Sequence, residues 1–174
     1  FAEIRDARDL WGLDTFDAYD ALLAQTDPKA RAAVIGPAGE ALIPFAAILQ
    51  GGRDHSRAAA RGGMGAVLGS KHVKAIVARG KQKPAYGDPH AFRTVVKELT
   101  PLIKHHQAGA SLYGTTGGMT GTELRGDLPI HNWAGGTFIE GAHALSGQVL
   151  REKYVTKDTF CYACPIGCGK FIEI

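Results

Sequence analysis

Apolar positions recur at helical spacing in three stretches. In DTFDAYDALLAQ (14–25), Phe16, Tyr19, Leu22 and Leu23 fall on one face behind Asp14, a good N-cap residue, and predict an amphipathic helix. Asp88 and Pro89 supply an N-cap and first-turn pair for a second helix, with Phe92, Val95, Val96 and Leu99 as its stripe. Pro101 is expected to kink or end that helix. Phe138, Ala142, Leu145 and Val149 mark a third. The pattern between the first two differs. AAVI and ALIPFAAIL, short apolar runs on either side of GPAGE, predict strands joined by a tight turn, with Pro44 at an edge or bulge. VKAIVA predicts another strand and GKQKPAYGDP a linker. The stretch YGTTGGMTGTELRGDLPIHNWAGG has no clear period and is too long for a passive connector. Near residue 83 the composition shifts from a β-containing half to a helical one, so the expected class is α+β. No internal repeat or low-complexity tract is present.

Composition narrows the function classes. A chain of 174 residues can bury one core or two small ones, and 45% hydrophobic with 21% charged residues reads as globular. A net charge of +3, with Lys and Arg scattered, argues against a nucleic-acid surface. No apolar run reaches the roughly 18 residues a membrane span needs, and FAEIRDARDLW lacks the basic-then-apolar order of a signal peptide. The expected compartment is the cytoplasm. The chain opens on Phe1 and stops soon after its most chemical motif, so it is expected to be a fragment.

That motif holds all three cysteines, Cys161, Cys164 and Cys168, spaced C-x2-C-x3-C. Clustering of this kind indicates a metal or redox centre, since a disulfide framework would spread its cysteines and prefer an even count. Three thiolates, with Pro165 and Gly167 turning the backbone, can converge on a 4Fe-4S cluster whose fourth ligand lies elsewhere. A zinc site that recruits a distant pair or one of the histidines uses the same donors. Three unrelated buried thiols are a further reading, and a radical-SAM site would need the spacings in reverse order.

The second candidate is SRAAARGGMGAVLGSK (56–71). It fails the P-loop pattern, because Gly69-Ser70-Lys71 is in the wrong order, and GMGAVLG is one residue too long for the dinucleotide fingerprint. Small residues still let backbone N–H groups approach an anion, and Arg57 and Arg61 can grip phosphate oxygens in fork geometry. The competing reading is a glycine-rich packing turn with solvated arginines.

Taken together, IGPAGEALIPFAAIL, HSRAAARGGMGAVLGSKHVKAIV, YGTTGGM, LPIHNW and CYACPIGCGK resemble the aldehyde:ferredoxin oxidoreductase family of tungsten enzymes, in order and approximate distance, over nearly the whole chain. The resemblance implies that residues 1–83 are the later part of a β-rich N-terminal base domain for a tungsten (or molybdenum) bis-pterin cofactor. Residues 84–174 would begin a mainly helical second domain. It implies cluster ligation by Cys161, Cys164 and Cys168, and contacts from Arg57, Ala58, Ala60, Arg61, Gly62 and Gly63 to the metallopterin, near its phosphates and the magnesium ion bridging them. The implied activity is oxidation of small aldehydes to carboxylic acids, with electrons passed to ferredoxin or an iron–sulfur subunit, possible oligomers, and no nucleic-acid or membrane partner. No catalytic residue is assigned, since the family's acid–base groups would lie beyond residue 174. The alternatives are a benzoyl-CoA reductase type of tungsten subunit and, from another class, a non-enzymatic zinc-stabilised binding module.

Overall fold

The computed structural model describes residues 2–53, 55–82 and 84–174; the expected boundary residue Lys83, with Phe1 and Asp54, lies outside them. The chain forms two compact units, Phe1–Pro84 and Ala85–Ile174.

The first unit contains α1 (Thr15–Gln25), β1 (Arg31–Val34), α2 (Pro37–Glu40), β2 (Ile48–Gln50), β3 (Arg57–Ala59), α3 (Met64–Ser70) and β4 (Ala75–Ala78). Its antiparallel sheet has the order β3-β2-β1-β4. Asp14 caps α1 by accepting the N–H groups of Phe16 and Asp17 at 2.8 and 2.9 Å, which satisfies donors the first turn would otherwise leave free. The helix then lays Ala18, Tyr19 and Leu22 on the sheet face that carries Ala32 and Val34, and Leu10 completes the core. Ala75 and Val77, paired with Val34 and Ala32, extend that face.

GPAGE, expected as a tight turn between strands, instead forms α2, with Pro37 at its first position. The run ALIPFAAIL is mostly turns and reaches strand geometry only at Ile48 and Leu49. The reason lies partly in Lys74 and Glu40. The Lys74 side chain is fully buried, pairs with the Glu40 carboxylate, and donates to the Leu13 carbonyl at 2.8 Å. Glu40 also accepts the Gly12 N–H at 2.9 Å. The helical turn brings Glu40 to this pairing, and a buried charge must be paired and hydrogen-bonded.

The second unit contains α4 (Pro89–His106), α5 (Ala108–Tyr113), a 3-10 turn at Thr115–Gly118, α6 (Met119–Leu124), α7 (Ile139–Ala144), α8 (Gly147–Lys153), β5 (Val155–Thr159) and β6 (Gly169–Ile172). Asp88 caps α4 through the N–H groups of His90 and Ala91, both at 2.9 Å. The helix does not end at Pro101 but runs to His106. Pro101 removes the donor for the Lys97 carbonyl, and Lys97 is exposed, so water can satisfy that group.

The predicted helix from Phe138 to Val149 divides into α7 and α8 at Ser146, whose hydroxyl caps the new start by accepting from Val149 N–H at 3.4 Å. Part of the aperiodic glycine–threonine stretch is ordered as the 3-10 turn and α6. No helix among the described residues is long and apolar enough to cross a membrane.

Candidate functional site

The cysteines lie on the loop that joins β5 to β6, an antiparallel pair with Asp158 opposite Lys170 and Thr159 opposite Gly169. Cys161 follows β5 closely, Cys168 immediately precedes β6, and Cys164 is between them. All three thiols are free, with Cys161 and Cys168 exposed and Cys164 half-buried. The Cys164 N–H donates to the Cys161 carbonyl at 3.1 Å and closes a turn. Ala163 and Gly167 adopt left-handed backbone, with φ of 55° and 67°. For Gly167 the requirement is double: a Cβ there would lie 2.3 Å from the Phe160 ring.

In kind, this donor set fits a thiolate-bound centre: three unpaired soft ligands on one loop. The structure does not draw them together, and among the described residues no three His, Cys, Asp or Glu side chains are close enough to hold one metal ion. Loops of this type gain their final geometry with the metal, because binding and local folding are coupled.

Polar and close-packed groups hold the loop's neck. Lys170 Nζ donates to the carbonyls of Gly167 (3.1 Å) and Ser111 (2.6 Å) and pairs with Asp158 Oδ1 at 2.8 Å. Arg151 Nη1 reaches the same Asp158 oxygen at 2.5 Å. Lys170 and then Arg151 hold the Asp158 carboxyl below the usual aspartate range. Gly114, at φ 67°, comes so near that an added Cβ would sit 2.9 Å from the Cys168 carbonyl oxygen. Cys168 and Lys170 both line a cavity of about 220 Å³ with Tyr113, Thr115, Leu150 and Val155. Sequence reasoning named neither Lys170 nor Asp158; the signal was available only once 155–159 and 169–172 are paired as a hairpin.

The glycine-rich segment divides between the two readings. Arg57 and Ala58 lie in the sheet's outer strand, opposite Gln50 and Leu49, and Arg57, Ala58, Ala60, Arg61 and Gly62 are exposed. Gly62 and Gly63 are left-handed, with φ of 74° and 66°, and Gly63 precedes α3. Three glycines here serve packing: a Cβ on Gly63, Gly65 or Gly69 would lie 2.2, 2.5 or 1.9 Å from the carbonyl oxygens of Pro44, Ala47 and Gly39. Gly62 is different, because open space surrounds its Cβ position and only its φ favours glycine. Beside Arg57, the Ser56 hydroxyl is buried with no hydrogen-bond partner among the described residues. Two exposed guanidiniums, open backbone at Gly62 and an orphaned hydroxyl suit an anionic group such as a pterin phosphate.

Both units belong to one class of oxidoreductase. Residues 2–80 match the aldehyde ferredoxin oxidoreductase N-terminal domain, and residues 94–174 match domains 2 and 3 of the same family. The chain is a member of the aldehyde ferredoxin oxidoreductase family. Over 172 residues it is 41% identical to the tungsten-containing aldehyde ferredoxin oxidoreductase of Pyrococcus abyssi and 38% identical to that of Pyrococcus furiosus; each comparison covers 97% of this chain. A WOR-like subunit of an aliphatic sulfonate oxidoreductase from Pyrococcus furiosus is 29% identical. Among solved structures, the active-site complex BamBC of benzoyl coenzyme A reductase, with 1,5-dienoyl-CoA, is similar with a TM-score of 0.70 at 27% identity over 99% of the chain. The chain spans about 28% of the length of these relatives.

Proposed function

We propose that this chain is part of a tungsten-pterin, iron–sulfur oxidoreductase that oxidises small aldehydes to carboxylic acids and passes electrons to ferredoxin or an iron–sulfur subunit in the cytoplasm. The observation that carries the reading is the set of three free thiols on the β5–β6 loop, in a chain whose two halves both match the family. The aldehyde reading ranks above the benzoyl-CoA one because identity is 41% to the first type of relative and 27% to the second.

In the reaction, an aldehyde and water become a carboxylate with release of protons and an electron pair. When bound, the tungsten (or molybdenum) bis-pterin supplies the two-electron exchange and the 4Fe-4S cluster the single-electron transfers. The chain's own residues bind and orient. Cys161, Cys164 and Cys168 are three of the cluster ligands, and the fourth lies outside the described residues. Residues 57–63 form the cofactor-facing edge of a base domain, where Arg57 and Arg61 would hold pterin phosphate oxygens, and a magnesium ion would supply further neutralisation of the phosphate charge. Ala58, Ala60 and Gly62 keep that edge low enough for close approach, and Gly63, packed against the Pro44 carbonyl, turns the chain from it into α3. The hairpin's polar neck holds the cluster loop in place.

Metal analysis of the anaerobically purified full-length protein tests this. The expected result is tungsten or molybdenum with about four irons per chain. Cys164→Ala should lose iron, whereas Arg61→Ala should lose tungsten and pterin but keep iron. One zinc per chain with neither iron nor tungsten would overturn the reading in favour of a zinc-stabilised binding module. Reduction of an aromatic thioester in place of aldehyde oxidation would move the protein to the benzoyl-CoA branch.

A further inference from the structure

The cation beneath the cysteine loop is not an ordinary surface lysine. The Lys170 side chain is only 12% exposed, and burying an ammonium is costly unless its donors are met. They are met in full: three N–H groups face three acceptors, the carbonyls of Gly167 and Ser111 and the carboxylate of Asp158. One of these contacts bears directly on a cysteine. The Gly167 carbonyl belongs to the peptide whose nitrogen is that of Cys168, so fixing it fixes the plane from which the Cys168 thiol departs. The Ser111 contact ties the same point to α5, and Asp158, directly across the hairpin, fixes the ammonium in turn.

The charge count matters as much as the geometry. Asp158 is already paired with Arg151 at 2.5 Å, so the largely enclosed Lys170 leaves this three-residue cluster with one net positive charge. A cluster held by thiolates is anionic and gains negative charge on reduction, so a fixed cation beside it favours the reduced form. We propose that Lys170 is a positioning residue that sets the Cys168 peptide and raises the reduction potential of the metal centre on this loop. The proposal rests on the reading of Cys161, Cys164 and Cys168 as cluster ligands.

Two variants, Lys170→Met and Lys170→Arg, made in the full-length protein and studied anaerobically, provide the test. The readouts are iron transfer to a chelator and the cluster midpoint potential by EPR-monitored titration. In Lys170→Met, iron affinity should fall by roughly 10- to 100-fold, the range for losing a group that supports a metal ligand. Its potential should become more negative. Lys170→Arg should keep the potential near that of the wild type but restore iron retention only in part, because a planar fork does not match three converging acceptors.

Wild-type retention and potential in Lys170→Met would overturn the proposal while leaving the cluster reading intact. Equal loss of iron and equal shift of potential in both variants would also overturn it, reducing Lys170 to a hairpin staple. If Lys170→Met does not fold, Asp158→Asn decides. That variant keeps the cation and removes a negative charge, so the potential should rise and iron leave faster, and no change in either overturns the proposal. Iron-free wild-type protein would remove the cluster reading itself, a result distinct from all of these.

Discussion

The two units of this chain are held by different means. In the first, Leu10, Tyr19, Leu22, Val34 and Ile35 are buried, α1 seals the sheet, and even the internal cation Lys74 is enclosed with its partner. In the second, Ala142 is the only buried hydrophobic residue among those described, while Phe92, Val95, Val96, Leu99 and Leu102 stand exposed along one stripe of α4. Order there comes from polar ties: Ser146 at the start of α8, Glu123 accepting the Phe138 N–H, and Lys170 with Asp158 and Arg151 at the hairpin. The first unit is fixed mainly by apolar burial, which is non-directional and large in sum. The second is fixed by directional contacts, each worth little alone but able to aim a loop.

The largest expected effect tests that contrast directly. In the 174-residue chain, Tyr19→Ala should cost about 3 to 5 kcal/mol, as for other buried aromatics. Leu99→Ala should change stability by no more than about 0.5 kcal/mol, as at exposed sites. Urea unfolding followed by circular dichroism measures both. A loss of about 2 kcal/mol or more for Leu99→Ala, the range for buried leucines, would mean that the stripe is covered, and the contrast between the units would collapse.

Legibility follows the same division. Helices whose period and cap lie within a few residues were readable: Asp14 with Phe16 to Leu23, and Asp88 with Phe92 to Leu99, each needing only local information. The strand in VKAIVA was readable for the same reason. GPAGE was misread because its helical turn serves Glu40's pairing with Lys74, 34 residues away, which no local pattern encodes. Pro101 was expected to kink or end its helix; the helix does not end there, because solvent meets the carbonyl freed by the missing N–H. At the candidate site, cysteine spacing and the Arg57–Gly63 composition were visible in the sequence. The β5–β6 hairpin was not, because VTKDT is short and mostly polar and GKFI is only four residues long, and with it Lys170 and Asp158 went unnoticed.

A middle-sized effect sharpens the comparison inside the first unit, by separating glycines that pack from one that serves the loop. Gly69→Ala would place a Cβ 1.9 Å from the Gly39 carbonyl oxygen, backbone against backbone with no flexible end to yield. A loss of about 3 kcal/mol, the upper part of the overpacking range, is expected. At Gly62 a Cβ meets nothing within 4 Å, so only the left-handed backbone resists. Gly62→Ala should cost about 1 kcal/mol, and in the full-length protein its larger consequence should be lowered pterin content. Equal stability losses at both positions, with pterin unchanged, would make residues 62–69 a packing turn throughout.

The smallest effect concerns the polar ties of the second unit and their dependence on pH. Asp158 is held below the ordinary aspartate range, first by its hydrogen bond from Lys170 and then by that from Arg151. Its folded value is therefore lower than its unfolded one. The stabilisation it gives is complete above the unfolded value of about 3.9, and disappears as pH falls through the lowered folded value. With Asp158 37% exposed, solvent screens the pair and the contribution is modest. Amide hydrogen exchange in β5 and β6 of the 174-residue chain, compared between wild type and Asp158→Asn, isolates it. Wild-type protection should exceed that of the variant near neutral pH, and the difference should begin to shrink once the pH drops below about 4, where the carboxyl of the unfolded chain protonates, and vanish as the folded carboxyl protonates at lower pH. A difference that persists unchanged into stronger acid would show that the carboxylate's charge is not what ties this hairpin. The directional account of the second unit would then rest on Ser146 and Glu123 alone.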